Sequence, residues 1–246
     1  MFHIIMSQVN IIVLAAGKGK RMKSDLPKVL VPFMGKPMIK HVLDNSKDFC
    51  DKITVVVGYK KDLVANELNE YNVQYVHQKE QLGTGHAVLV TEDKFKDFTG
   101  DILVLFGDSP LISKNVIKNL IKFHQSKRCV ASILTKDSKY LGGCARIVRN
   151  ENGSFNKSIE FKDLTKELEH ITEINIGVMI FNSKVLFDTL KKVTNNNSQN
   201  EYYLPDVINI LSRNNQIGVF KTNQVPDLFS FNTIEDLREA ERLTQI

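Results

Sequence analysis

Cysteine is scarce in this chain: Cys50, Cys129 and Cys144 are the only three, and no two stand close together. An odd, dispersed set supports neither a disulfide framework nor a zinc site, so a reducing compartment, the cytoplasm, is the expected location. Long apolar runs are missing as well, and none approaches the roughly 20 residues that a bilayer span needs. The start, MFHIIMSQVNIIVLAAG, is partly apolar but has no basic first segment. Asn10 interrupts it, and a glycine-rich loop stands where a cleavage site would fall. Residues 1–8 read as a short leader to a buried strand. A linker, an internal repeat, a Gly-x-Ser-x-Gly motif and a metal-spaced histidine pair are all lacking. Together these absences argue against a membrane-spanning helix, a disulfide framework, a zinc site and a Gly-x-Ser-x-Gly nucleophile.

What remains is an ordinary globular composition: 246 residues, 42% hydrophobic and 25% charged, with a formal charge of +5. A chain of this size buries roughly 70–75% of its unfolded surface without covalent staples. Short β-branched runs at 11–15, 53–58, 73–76, 101–106 and 129–135 alternate with amphipathic stretches at 38–47, 61–69, 86–95 and 113–126. The near-continuous apolar runs at 11–15 and 102–106 mark strands covered on both faces. The alternation predicts right-handed crossovers and a doubly wound α/β sheet. After about residue 140 the pattern changes. A hairpin is expected around Glu151-Asn152-Gly153, strands at 173–181 and 217–222, and helices at 184–193, 205–211 and 233–243. The Asn-rich stretch 194–203 reads as a loop.

The charge is concentrated. Residues 18–28 hold five cations (Lys18, Lys20, Arg21, Lys23, Lys28) and one acid (Asp25), which is +4 of the chain's +5. They follow the first strand and surround Gly17 and Gly19, whose backbone can turn its N–H groups toward an anion. Arg21 stands where a Walker A loop needs Ser or Thr, and Met22 stands where a dinucleotide fingerprint needs a small residue. Pro27 and Pro32 keep the loop extended until Pro37 opens a helix. A long basic flap over nucleotide phosphates fits best. Nucleic acid fits poorly, because no aromatic residues are interleaved with the cations. Asp108, one glycine past the apolar strand LVLF, falls where open α/β sheets place their ligands.

The run LAAGKGKRMKSDLPKVL resembles the signature of sugar-1-phosphate nucleotidylyltransferases. QLGTGHAVL, LVLFGDSPLIS, EFKD, EINIGVMIF and NEYYLPDVI extend the resemblance over residues 9–245. Within the family, the chain is most similar to the uridylyltransferase domain of bacterial bifunctional N-acetylglucosamine-1-phosphate uridylyltransferases. The resemblance implies a mostly parallel mixed sheet with a dinucleotide-binding-like core and a β-rich sugar-binding insertion, the nucleotide-diphospho-sugar transferase fold. One domain over residues 9–246 is expected: a nucleotide half (9–139), a sugar half (140–232) and a terminal helix (233–246).

It also implies Mg²⁺-dependent transfer of UMP from UTP to N-acetylglucosamine-1-phosphate, with UTP and the sugar phosphate as partners. Arg21 and Lys28 would stabilise the phosphates, Arg21 chiefly on the leaving pyrophosphate. Asp108 and Asn232 would hold Mg²⁺. Gln78, Gly83 and Thr84, with the backbone of Leu14, Ala15, Ala16 and Gly17, would bind uracil. Gly143, Ala145, Glu160 and Asn175 would bind the sugar, and Lys162 its phosphate. His86 reads as a packed helix residue.

The chain departs from the family at three places. Cys144-Ala145 replaces Tyr-Gly, Ile176 replaces Thr, and Lys20 replaces Thr. The first two leave open another hexose- or hexosamine-1-phosphate, or another nucleoside triphosphate. A non-catalytic nucleotide-sensing module on this fold is the alternative from a different class; it would be expected to lack Asp108, Asn232 or the loop cations. The hexapeptide repeats of the bifunctional enzymes are not present, so no acetyltransfer is expected, and a monomer or weak homodimer is.

Overall fold

The run VNIIVLA extends as strand β1 (Val9–Ala15), with Ile11, Ile12 and Val13 fully buried. Branched side chains suit a pleat packed on both faces, and each such burial contributes about 1.5–3 kcal/mol. The computed structural model describes residues 8–22, 24–140 and 142–244. Residues 1–7 of the expected leader, Lys23 and the side chain of Lys20 lie outside that description. A small hairpin of β2 (Pro32–Phe33) and β3 (Lys36–Pro37) leads to α1 (Met38–Ser46). There follow β4 (Ile53–Val57), α2 (Lys61–Glu67), β5 (Val73–His77), α3 (Thr84–Leu89), α4 (Glu92–Phe95), β6 (Asp101–Phe106) and α5 (Lys114–Lys127). The second half contributes β7 (Ala131–Asp137), β8 (Arg146–Arg149), β9 (Phe155–Ile159), β10 (Glu173–Asn182), α6 (Ser183–Leu190), α7 (Pro205–Leu211), β11 (Gly218–Lys221) and α8 (Ile234–Thr244).

One sheet runs through both halves in the order β11-β7-β10-β6-β1-β4-β5, and the β8–β9 hairpin is attached to β10. Parallel pairing joins β5, β4, β1 and β6 in turn, and also β7 to β11. Strand β10 alone in this path is reversed, antiparallel to both β6 and β7. This is the doubly wound, mostly parallel mixed sheet that the alternation and the resemblance predict. From β1 the chain first builds outward to β4 and β5, then returns to lay β6 on the other side of β1. That reversal opens a crevice at the carboxyl ends of β1 and β6.

Alternate residues of the central strands face opposite cores. Ile11, Val13, Leu103 and Leu105 pack with Ile39 and Leu43 of α1 and with Val116 and Leu120 of α5. Ile12, Leu14, Ile102 and Val104 pack with Val88 of α3, Leu186 of α6 and Val207 of α7. A third, smaller core joins Met22, Phe33 and Met38 to Phe231 and Leu237. Two local expectations need correction. The stretch 86–95 is not one helix: it breaks at Thr91, whose hydroxyl donates to the Val88 carbonyl at 2.7 Å. Nor is the basic loop extended throughout. Lys20–Met22 and Lys28–Leu30 each form a single 3-10 turn, the second closed by Leu30 N–H on the Pro27 carbonyl at 2.9 Å.

Candidate active site

The turn after β6 carries Asp108 to the crevice, and the end of the basic loop brings Lys28 against it. The Lys28 ammonium forms an ion pair with the Asp108 carboxylate, both side chains being about five-sixths buried. The same Nζ donates to Asn232 Oδ1 at 3.3 Å, and Arg21 Nη2 donates to that oxygen at 2.9 Å. Four residues spread over 212 positions of the chain thus meet around one point. Met22 and Phe231, both buried to within 1%, explain how. They share the third core, which turns their neighbours Arg21 and Asn232 toward each other. Asn232 precedes α8, but the helix start uses Thr233 instead. Thr233 Oγ1 accepts the Asp236 N–H at 3.1 Å, and Asp236 Oδ2 accepts the N–H groups of Asn232 and Thr233 at 3.0 Å each. The Asn232 side chain is left to the crevice.

Two cavities meet here. The first, about 220 Å³, is lined by Leu14, Ala16, Gly17, Lys28, Gln78, Gln81, Gly83, Thr84, Phe106, Asp108 and Glu201. Ala15, the fourth of the expected backbone contacts, turns its side chain into the core beneath. Gly83 has φ +111, and a Cβ there would lie 2.6 Å from the Tyr202 carbonyl, so only glycine fits. The loop is braced from the Asn-rich segment: Tyr202 N–H donates to Leu82 O at 2.8 Å and Gly85 N–H donates to Tyr202 O at 2.7 Å. The Thr84 hydroxyl accepts the Leu204 N–H at 2.9 Å. Gln78 is 3% exposed; its Nε2 donates to Gly83 O at 3.1 Å and lies 3.1 Å from His86 Nδ1.

The second cavity, about 240 Å³, shares Thr84, Phe106 and Asp108 with the first and adds Gly143, Cys144, Ala145, Glu160, Asn175, Ile176, Asp227 and Asn232. Asn175 Oδ1 accepts the Gly177 N–H at 2.7 Å, beside the irregularity in β10 between Asn175 and Met179. Glu160 is partly buried; desolvation, then the charges of Asp206, Asp163 and Glu201, push its pKa up to about 7. Lys162 is exposed on the turn after it and lines neither cavity, though its charge tempers the raised pKa of Glu201. Tyr203 is packed and 5% exposed.

Sequence reasoning missed several groups. Phe106 and Glu201 give no motif signal apart from their neighbours. Asp227 is held by buried Lys136 at 2.5 Å and by the Ser138 hydroxyl at 2.9 Å, and Lys136 holds its carboxyl below the usual range. A lysine within the apolar run of β7 was the available sign. At the opposite end of the sheet His124 bonds Ser132 Oγ at 2.9 Å and lies 3.4 Å from Asp101. This resembles a nucleophilic triad, but His124 and Ser132 are 1% and 0% exposed, so no substrate reaches them.

Asp108 and Asn232 present two oxygens to a single ammonium, so the pair already converges on one positive charge. A carboxylate and an amide oxygen suit a hard dication that fills its other positions with phosphate oxygens and water. Among the described residues no group of three or more His, Cys, Asp or Glu side chains is placed to hold a metal.

The crevice lies at the switch point of a doubly wound sheet, with cations and oxygen ligands between two cavities, as a phosphate-bearing ligand requires. Residues 11–209 match the MobA-like NTP transferase domain, and the chain belongs to that family. It is 42% identical over 234 residues to the bifunctional protein GlmU of Halalkalibacterium halodurans, covering 94% of this chain and 51% of that one. It is 41% identical over 242 residues to the bifunctional protein GlmU of Listeria monocytogenes, covering 98% and 53%. The chain spans about half the length of these relatives. Among solved structures, UDP-glucose pyrophosphorylase complexed with UDP-glucose superimposes with a TM-score of 0.79 at 20% identity, over 98% of this chain and 99% of that one. A putative glucose-1-phosphate thymidylyltransferase from Bacillus anthracis gives 0.76 at 19%, over 96% and 95%. At that identity they establish the shared fold. Among the described residues, no helix is long and apolar enough to cross a membrane.

Proposed function

We propose that the chain transfers UMP from UTP to N-acetylglucosamine-1-phosphate, releasing pyrophosphate and UDP-N-acetylglucosamine. The observation that carries this reading is the junction of the two cavities at Asp108, Thr84 and Phe106, with Lys28 and Arg21 beside it. A nucleotide in the first cavity and a sugar phosphate in the second would face each other there. The relatives named GlmU support the choice of substrates.

The sugar-phosphate oxygen attacks the α-phosphorus of UTP, and the bond to the β-phosphate breaks with its electron pair leaving on pyrophosphate. Both reactants are polyanions, so alignment and charge neutralisation supply most of the acceleration. Lys28 steadies the α-phosphate and Arg21 the departing pyrophosphate. Mg²⁺ held by Asp108 and Asn232 would neutralise triphosphate oxygens and polarise the α-phosphorus. Gln78, Gly83, Thr84 and the backbone of Leu14–Gly17 hold the uracil. Glu160, Asn175, Gly143 and Ala145 hold the sugar; Lys162, outside both cavities, would reach its phosphate only by extending from the turn after Glu160. We assign residues 9–139 to the nucleotide half and 140–232 to the sugar half, with α8 following them. We place the protein in the cytoplasm, where both substrates and reduced cysteines occur, as a monomer or weak homodimer.

Pyrophosphate release from paired nucleoside triphosphates and sugar-1-phosphates, at saturating Mg²⁺, tests the reading. The highest kcat/KM is expected with UTP and N-acetylglucosamine-1-phosphate. A higher value with glucose-1-phosphate would reassign the sugar, as Ala145 and Ile176 allow. Silence with every pair would leave a nucleotide-sensing module on this fold.

A further inference from the structure

We infer that His86 sets base choice by fixing which way the Gln78 side-chain amide points. This rests on the proposed nucleotide cavity. The Gln78 amide nitrogen has two close neighbours: Nε2 lies 3.1 Å from Gly83 O and 3.1 Å from His86 Nδ1. A carbonyl can only accept, so Gly83 demands the nitrogen on its side. His86 adds the second acceptor when its ring proton is on Nε2. The backbone of Gln78 is itself pinned, its N–H on Val57 O at 2.9 Å. With the nitrogen committed, the group this side chain offers the cavity is its carbonyl oxygen. An acceptor there pairs with the imide N–H of a uracil-type base and opposes the bare ring nitrogen of cytosine. His86 lines neither cavity, so it acts through Gln78 as a positioning residue.

The readout is the UTP-to-CTP ratio of kcat/KM, with the ratio of dissociation constants measured in parallel by calorimetry. His86→Ala leaves one acceptor, and the ratio should fall by roughly tenfold, the scale of one net hydrogen bond. His86→Lys supplies only donors and should lower it further, toward CTP. His86→Asn, able to place Oδ1 where Nδ1 stands, should restore it. If His86 merely packs the helix, His86→Ala will weaken UTP and CTP equally and the ratio will hold, which would overturn the inference. Should the wild-type chain turn over neither nucleotide, the proposed reaction fails while the dissociation ratio still decides the role of His86.

Discussion

Asn232 Oδ1 accepts from Arg21 and Lys28 at once, so the loop's charge is tied to the terminal segment by a single atom. Arg21 is exposed and spends no energy on burial, which fits a group whose work is on a substrate. Arg21→Ala should therefore lower kcat by about 10²–10³, or about 2.7–4 kcal/mol of transition-state stabilisation, with little change in melting temperature. Stopped-flow pyrophosphate release would measure it, and a tenfold or smaller loss would remove Arg21 from the chemistry. Glu160 behaves differently. Its carboxyl is pushed up to about 7 from an ordinary 4.5, chiefly by desolvation. The native state then keeps a proton that the unfolded chain releases. That contribution is complete below about 4.5 and is lost as pH rises through about 7. Glu160→Gln should flatten this part of the pH dependence in urea denaturation; equal slopes in both proteins would show that the site is more solvated than its surroundings indicate. Arg21 and Lys28 were legible as part of the cation cluster after β1, and Asp108 from its place one glycine past an apolar strand, whereas Glu160 was marked by the family resemblance alone. Asp227 was not, since its partner Lys136 is 91 residues away and only the fold joins them.

At the scale of elements, the basic loop works because it is anchored at its middle. Met22 is 1% exposed in a segment otherwise made of cations and turns. It contacts the core formed by Phe33, Met38 and Phe231, where the Phe33 and Phe231 rings lie 5.0 Å apart. Deleting that side chain leaves a cavity between loop and terminal segment, at a cost of about 2–5 kcal/mol. Met22→Ala should accordingly destabilise the protein by that amount and reduce kcat/KM for UTP, because Arg21 loses its support. Met22→Leu, which keeps the volume, should restore both. Unaltered kinetics in a destabilised Met22→Ala would separate the anchor from the site. The sequence makes Met22 visible only as a residue that excludes a dinucleotide fingerprint. Its positive role depends on Phe231, which approaches it only after the entire sheet has formed.

Across the whole molecule, the two ends of the sheet have been given different work. Periodicity reveals the strands, and the strand–helix alternation reveals the parallel core. The reversal of β10 is hidden, because a buried strand reads the same in either direction. What reverses it is the path through β8, β9 and the 3-10 turns after Glu160, which returns the chain to the carboxyl end of the sheet. The reversal matters to the proposed function: it brings Asn175 to the edge where β1 and β6 end, opposite the cavity proposed for the nucleotide. The amino end of the same sheet carries the more familiar catalytic trio, with Asp101 beginning β6 and Ser132 near the start of β7. Burial there excludes substrate, so the trio serves to satisfy polar groups between α5 and the sheet. Ser132→Ala leaves His124 Nδ1 without that partner in a dry site, a loss of about 1–3 kcal/mol. It should lower the midpoint of urea unfolding while nucleotidyl transfer keeps its wild-type kcat and KM. A collapse of turnover in a folded Ser132→Ala protein would place chemistry at the amino end, against everything the crevice between β1 and β6 implies.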